Sequence, residues 1–321
     1  VARIRTPEIF TAPILLTSIG ADMQTLMIKA ALSEKDLLYK KAITGIKADI
    51  TSLRSIQGIF NSFIAPYYAI NVLDSVGIER EQIKSNERFL LPFVDIDIAE
   101  ICKKIESLNV EIHNLSKDIS DNFIDNNAII IKKKRERDKL LTDINDAVLA
   151  EICDDEIDRI LIDYANSVIR PFILSSCKKE QGLLLKDIPF NSQELNDYAK
   201  LYINQFRNGL KVVGKIFIVR IQHSASFVLM KFEMISVEEY TDDVIWEKLD
   251  GSYIINFLMS ISNESLTDKI VIQKDIRGFE KEFFYIAKPN ERRLWHRAIG
   301  LQDVQEFTDA IMASGRRASH E

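Results

Sequence analysis

Seven aliphatic residues, Ile98, Ile101, Ile105, Leu108, Ile112, Leu115 and Ile119, follow one another at alternating steps of three and four. That spacing puts them on one stripe of an α-helix, at the a and d positions of a heptad, which is the pattern of a coiled-coil seam. Between them stand mostly Lys, Glu, Asn, Asp and Ser, so the stripe is narrower than that of a helix buried in a globular core. Asp125-Asn126-Asn127 reads as a turn, and a second helix is expected from Ile129 to about Tyr164. A hairpin turning there brings residue i near residue 253 − i, so Ile112 meets Leu141, Ile105 meets Val148 and Ile101 meets Ile152. The same register sets Asp121 by Lys132 and Asp118 by Arg135. The pattern therefore predicts an antiparallel coiled-coil hairpin over 97–170.

Before it, residues 1–96 read as a helical domain. Ser33 followed by Glu34 and Asp36 resembles a helix N-cap with acid in the first turn. Ile43, Ile46, Ile50, Leu53, Ile56 (or Gln57), Phe60 and Phe63 then recur at steps of three and four, and Pro66 is expected to end that helix. A short helix over Ala69–Val76 follows. The apolar stretch Ile9–Ala21 lies behind Arg3 and Arg5 as in a secretory signal, but Glu8 and Pro13 argue against one. After the hairpin, 171–208 reads as connecting helices, with Leu195, Tyr198, Tyr202 and Phe206 along one face of a helix over Ser192–Asn208.

Near residue 209 the period changes. Val212–Gln222 and Phe227–Ile235 are rich in Val, Ile and Phe and form a predicted β-hairpin. Ile270–Lys274 and Glu282–Lys288 suggest a second hairpin turning at Arg277-Gly278, and a closing helix is expected over Glu291–Ala313. The fold class is thus α+β: a mainly helical N-terminal part with its hairpin, then a smaller α+β domain over 209–321 with a mostly antiparallel sheet.

Composition removes several functions. The net charge of −6 excludes a uniformly basic nucleic-acid binder. Three widely spaced cysteines, Cys102, Cys153 and Cys177, fit a reducing compartment, so a cytoplasmic location is expected. No apolar run is long enough for a membrane span. There is no Gly-x-Gly, and the one partial P-loop, Gly209, Gly214 and Lys215, has Ile216 where a Ser or Thr holds Mg²⁺. No Cys-x-x-Cys or His-Glu-x-x-His occurs, no Asp or Glu has Lys two residues on, and the histidines are scattered. No cofactor, metal site or catalytic residue is expected, although the acidic group Glu238, Glu239, Asp242, Asp243 and Glu247 leaves a divergent metal-dependent nuclease as one alternative.

Two basic features remain. Residues 132–139 hold six Lys or Arg against two acids, which suits phosphate contacts or, less eventfully, pairing across the hairpin. The segment Lys288, Arg292, Arg293, Trp295, His296 and Arg297 joins forked donors to a stacking face, as single-stranded nucleic acid requires. In its other reading Trp295 is core and the arginines make internal ion pairs. The leading functional expectation is a non-enzymatic assembly protein. Its hairpin tip, with Ile119, Phe123, Ile129, Ile130, Ile131, Lys132, Lys133 and Lys134, would bind a protein partner or a second copy. The alternative is a nucleic-acid-binding component of a larger complex through the C-terminal basic-aromatic segment.

Overall fold

The computed structural model describes residues 7–21, 26–40, 42–72, 87–117, 123–174, 186–210, 212–250, 252–253, 256, 275–280 and 283–318. The chain divides into two compact units, Val1–Cys177 and Lys178–Glu321, and combines helices with a three-stranded antiparallel and a five-stranded mixed sheet, so it is α+β overall. Among the described residues, no helix is long and apolar enough to cross a membrane.

The first unit corrects the expectation of a helical start. Its opening apolar stretch supplies β1 (Ile14–Ser18), the central strand between β2 (Ala30–Ser33) and β3 (Ile43–Ile46), with Leu16 opposite both Ala31 and Gly45. Ser33 therefore ends a strand instead of capping a helix, and Ile43 and Ile46 belong to β3. The helix begins only at α1 (Ile50–Phe60), where Asp49 caps it by accepting from the Ser52 N–H at 2.9 Å. Pro66 does not stop a helix. It sits in the first turn of α2 (Ile64–Asn71), where a missing N–H costs nothing. Of the short helix expected over 69–76, Ala69–Asn71 close α2, and residues 73–76 lie outside the described residues.

Six of the seven heptad residues, Ile98 to Leu115, lie on α3 (Ala99–Lys117) and its N-terminal flank, and α4 (Phe123–Ile152) packs against α3 in the opposite direction. Ile98 and Leu108 are buried and Ile101, Ile105, Ile112 and Leu115 half-buried, while apart from half-buried Ala99 and buried Cys102 the positions between them are exposed. The register differs from the expected one. Glu111 is ion-paired with Lys133, numbers that sum to 244 instead of 253. The difference arises because Asp125-Asn126-Asn127 lies within the N-terminal turns of α4, where the helix dipole favours an acidic residue such as Asp. The expected pairs of Asp118 and Asp121, and Ile119 itself, lie outside the described residues. The second helix also stops sooner than its periodicity suggests. Cys153–Asp155 interrupt it, and Asp155 caps α5 (Glu156–Tyr164) by accepting from Asp158 N–H at 3.0 Å. A π-helical turn, Ala165–Ile169, leads into α6 (Arg170–Leu174). Gly58 lets α1 approach this pair, since a Cβ there would lie 2.5 Å from Ile98 Cδ1 and 3.6 Å from a Val148 methyl.

In the second unit, α7 (Gln193–Phe206) is capped by Ser192, and its Leu195, Tyr198, Tyr202 and Phe206 are buried as its spacing predicts. They pack on a sheet ordered β6-β4-β5-β8-β7: β4 (Lys215–His223), β5 (Phe227–Ser236), β6 (Val244–Lys248), β7 (Ile276–Phe279) and β8 (Phe283–Pro289). All pairings are antiparallel except β4 with β6. α7 shares its core with this sheet and belongs with it to the compact unit Lys178–Glu321. Arg277-Gly278 is part of β7 instead of a turn, and Ile270–Lys274 lies outside the described residues. The closing helix, α8 (Arg297–Ala318), starts after a 3-10 turn at Arg292–Leu294. Strand alternation sends Phe217, Val219, Ile221, Phe284 and Ile286 toward α7 and α8, and Lys288 with them.

Candidate functional site

Helix α4 needs one apolar stripe to face α3, yet Ile129, Ile130 and Ile131 are consecutive and so point three ways around it. Ile130 is half-buried, whereas Ile129 and Ile131 are 43% and 52% exposed. Val110 on α3 is 60% exposed. No residue of 109–117 or 126–143 is buried, so these parts of the pair lack the third layer that covers Ile98, Ile144 and Val148 near α1. Lys133 is taken up by Glu111, but Lys132 and Lys134 are exposed. Phe123 is the first residue of α4. Closer to the body, Leu16, Ala31, Gln57, Cys102, Ile105 and Leu141 line an open cleft of about 660 Å³ between the sheet and the helix pair. Burial raises the pKa of the Cys102 and Cys153 thiols, which keeps both in the unreactive form.

The C-terminal basic-aromatic segment is organised inward. Trp295 is fully buried, and its indole N–H donates to Pro289 O at 3.0 Å. Lys288 has no exposed side-chain surface. Its ammonium donates to Asp303, and to Tyr198 Oη and Leu294 O at 3.2 Å each. It also lies 5.2 and 5.3 Å from the ring centres of Tyr198 and Trp295. Asn290 ties the 186–190 segment down: it accepts from Ile188 N–H at 3.0 Å and donates to Ser224 O at 3.1 Å. Arg292 pairs with Glu194 at 2.8 Å, Arg293 pairs with Glu291 at 2.7 Å, and His296 Nδ1 accepts from Ala298 N–H at 3.1 Å. Arg297 opens α8 and is itself engaged in an interaction. Neither Trp295 nor Lys288 presents a face to a nucleic acid, and Arg292 and Arg293 meet carboxylates, the arrangement of the second of the two readings of this segment. The Arg292→Ala and Arg293→Ala changes are each expected to cost under about 1 kcal/mol in urea denaturation, since both pairs are partly exposed.

Spacing alone does not reveal the network behind Lys288. Asp303 is almost fully buried on α8 and accepts from Tyr198 Oη at 2.5 Å and from Arg277 at 2.8 Å, and Arg277 also bridges Asp275 at 2.5 Å and Glu306. The one available signal was parity, because Lys288 shares its strand face with Phe284 and Ile286. The acidic group at 238–247 is dispersed: Asp243 binds Arg207 and Tyr240, and Glu247 binds Arg220 and Gln222 at 2.7 Å each. Among the described residues, no group of three or more His, Cys, Asp or Glu is placed to hold a metal ion. Gly214 has a φ of 76° in the turn before β4, and Lys215 begins the strand, so the partial P-loop has no helix behind it. His223 is buried against Ile188 O at 2.7 Å, and Cys177 lies outside the described residues. Comparison with protein-family models, with curated proteins and with solved structures gives no match.

Proposed function

We propose that this chain is a non-enzymatic assembly or interaction protein of a reducing, cytoplasmic compartment, and that α3 and α4 form a short antiparallel coiled coil that serves as its contact element. The observation that carries this reading is the isoleucine triplet. A two-helix extension needs one apolar residue per turn facing its mate, and β-branched residues are only moderate helix formers. Two further isoleucines left in water serve neither packing nor helix formation, and exposed apolar surface of this kind marks contact sites.

The test is an Ile129→Ser, Ile131→Ser double variant. Stability is expected to change by only about 0.5 kcal/mol or less per site, since both residues are exposed. Assembled species seen in sedimentation, and cross-links formed in cells, are expected to disappear. A double variant that sediments and cross-links like the wild type would remove the helix pair from consideration. The exposed cations Lys132, Lys134, Arg135 and Lys139 support nucleic acid as a second reading, now on α4 instead of at Trp295. Absence of binding to single-stranded DNA and RNA at low salt ends it.

A further inference from the structure

The outward face of α4 is segregated by charge. Lys132, Arg135, Lys139, Asp143 and Asp146 follow at steps of three and four, and all five are exposed. At 100° per residue they fall within roughly 80° of arc. The α3-facing side of the helix is a different one, marked by half-buried Ile130, Lys133 and Arg137 and by buried Ile144 and Val148. Among the described residues, none of the five makes an ion pair, while Lys133 and Arg137, off the stripe, pair with Glu111 and Asp138. Lys139 and Asp143 are four apart, but in the order that suits an intrahelical pair less well. Further along the chain the segregation continues, with eight acids and one Arg over residues 143–163.

We infer that this stripe docks on its own copy, two α4 helices lying antiparallel about a two-fold axis near residue 141. This rests on the reading of the helix pair as a contact element and names its partner. A two-fold contact must be self-complementary, and the stripe supplies both signs in the required order. Lys139 then faces Asp143 and Arg135 faces Asp146, and symmetry repeats each pair. On one shoulder, exposed Ile131 meets Leu149 of the second copy. A parallel arrangement sets cation on cation.

The experiment uses the full chain in sedimentation equilibrium. Between about 50 mM and about 500 mM NaCl the dimer is expected to weaken by about tenfold, because exposed ion pairs are screened. Generic association of a chain with net charge −6 moves the other way, since salt screens like-charged copies from one another. Two charge-reversal variants complete the test, one with Lys132→Glu, Arg135→Glu and Lys139→Glu, the other with Asp143→Lys and Asp146→Lys. Each alone is expected to be monomeric, with helix content checked by circular dichroism, and an equimolar mixture is expected to form a heterodimer. A monomeric wild type at low salt, a variant that still dimerises alone, or a mixture that stays monomeric overturns the inference. If the wild type is monomeric yet loses another partner with the Ile129→Ser, Ile131→Ser change, the contact-element reading survives without a second copy. If no association depends on those isoleucines, both readings fall.

Discussion

Replacing Asp303 by Ala is expected to destabilise the C-terminal unit by about 3–5 kcal/mol, a large part of the stability of an ordinary domain. The reason is what remains. Lys288 keeps its place between the Tyr198 and Trp295 rings with no exposed side-chain surface, and the acceptors left to it among the described residues are Tyr198 Oη and Leu294 O. Arg277 is less affected, because Asp275 and Glu306 still hold it. The double change Lys288→Met, Asp303→Leu removes both charges and is expected to recover most of the loss, since an apolar replacement of a buried pair is often neutral. Raising the pH also helps the single variant. Burial already lowers the pKa of Lys288 below its ordinary value. The unfolded chain therefore binds the extra proton, and stability rises with pH up to the unfolded lysine value of about 10.5. Urea denaturation of the three proteins at neutral and alkaline pH reads all of this. A loss of under about 1 kcal/mol for Asp303→Ala contradicts a buried pair.

That pair shows where sequence reading ends. Lys288 beside two arginines and a tryptophan has the composition of an anion site, and composition cannot tell whether Asp303 or a phosphate neutralises it. The answer depends on α8 returning across the sheet and on Tyr198 arriving from α7, both long-range events. Local signals were sound where one period dominated. The three-four spacing of Ile98 to Leu115 and the aromatic face of α7 are both packed as their periods require, and the strands over 215–223 and 227–236 pair as expected. They failed where elements are short. Ala30–Ser33 and Ile43–Ile46 are four residues each, too few for a period of two to be told from 3.6, so the sequence alone does not distinguish the N-terminal sheet from helix. The helix-pair register failed for a different reason: Asp and Asn mark turns, but Asp is also favoured near a helix N-terminus, and Asp125-Asn126-Asn127 lies inside the start of α4.

Alkaline pH is expected to unfold the same unit steeply, and the same network supplies the cause. Burial raises the pKa of Tyr198 well above its ordinary value, with neighbouring Tyr202 and the charge of Asp303 acting in the same direction. Burial does the same to Tyr202, again with Asp303 adding to it. In the unfolded chain both phenols ionise near pH 10, so above that pH the folded state holds two protons that the unfolded state has lost. Each contributes about 1.4 kcal/mol of lost stability per pH unit, or roughly 2.7 kcal/mol per unit together, until the folded phenols themselves ionise. Lys288 acts in the opposite sense only below about 10.5, so it delays the fall but does not set its slope. Tyr285, also raised by burial, adds to the fall. Subtraction therefore isolates the pair. The Tyr202→Phe variant keeps the ring stacked 3.9 Å from Phe232 and is expected to lose one proton from the slope of stability against pH. The part of the wild-type phenolate absorbance that belongs to Tyr198 and Tyr202, read as the difference from the Tyr198→Phe and Tyr202→Phe variants, is expected to rise in step with the loss of near-ultraviolet circular dichroism, because these hydroxyls ionise only once the core opens. A smooth titration of all tyrosines ahead of unfolding would mean that water already reaches the space between α7, α8 and the sheet. The Lys288–Asp303 pair could not then be dry, and the destabilisation expected for Asp303→Ala would shrink to that of a surface pair.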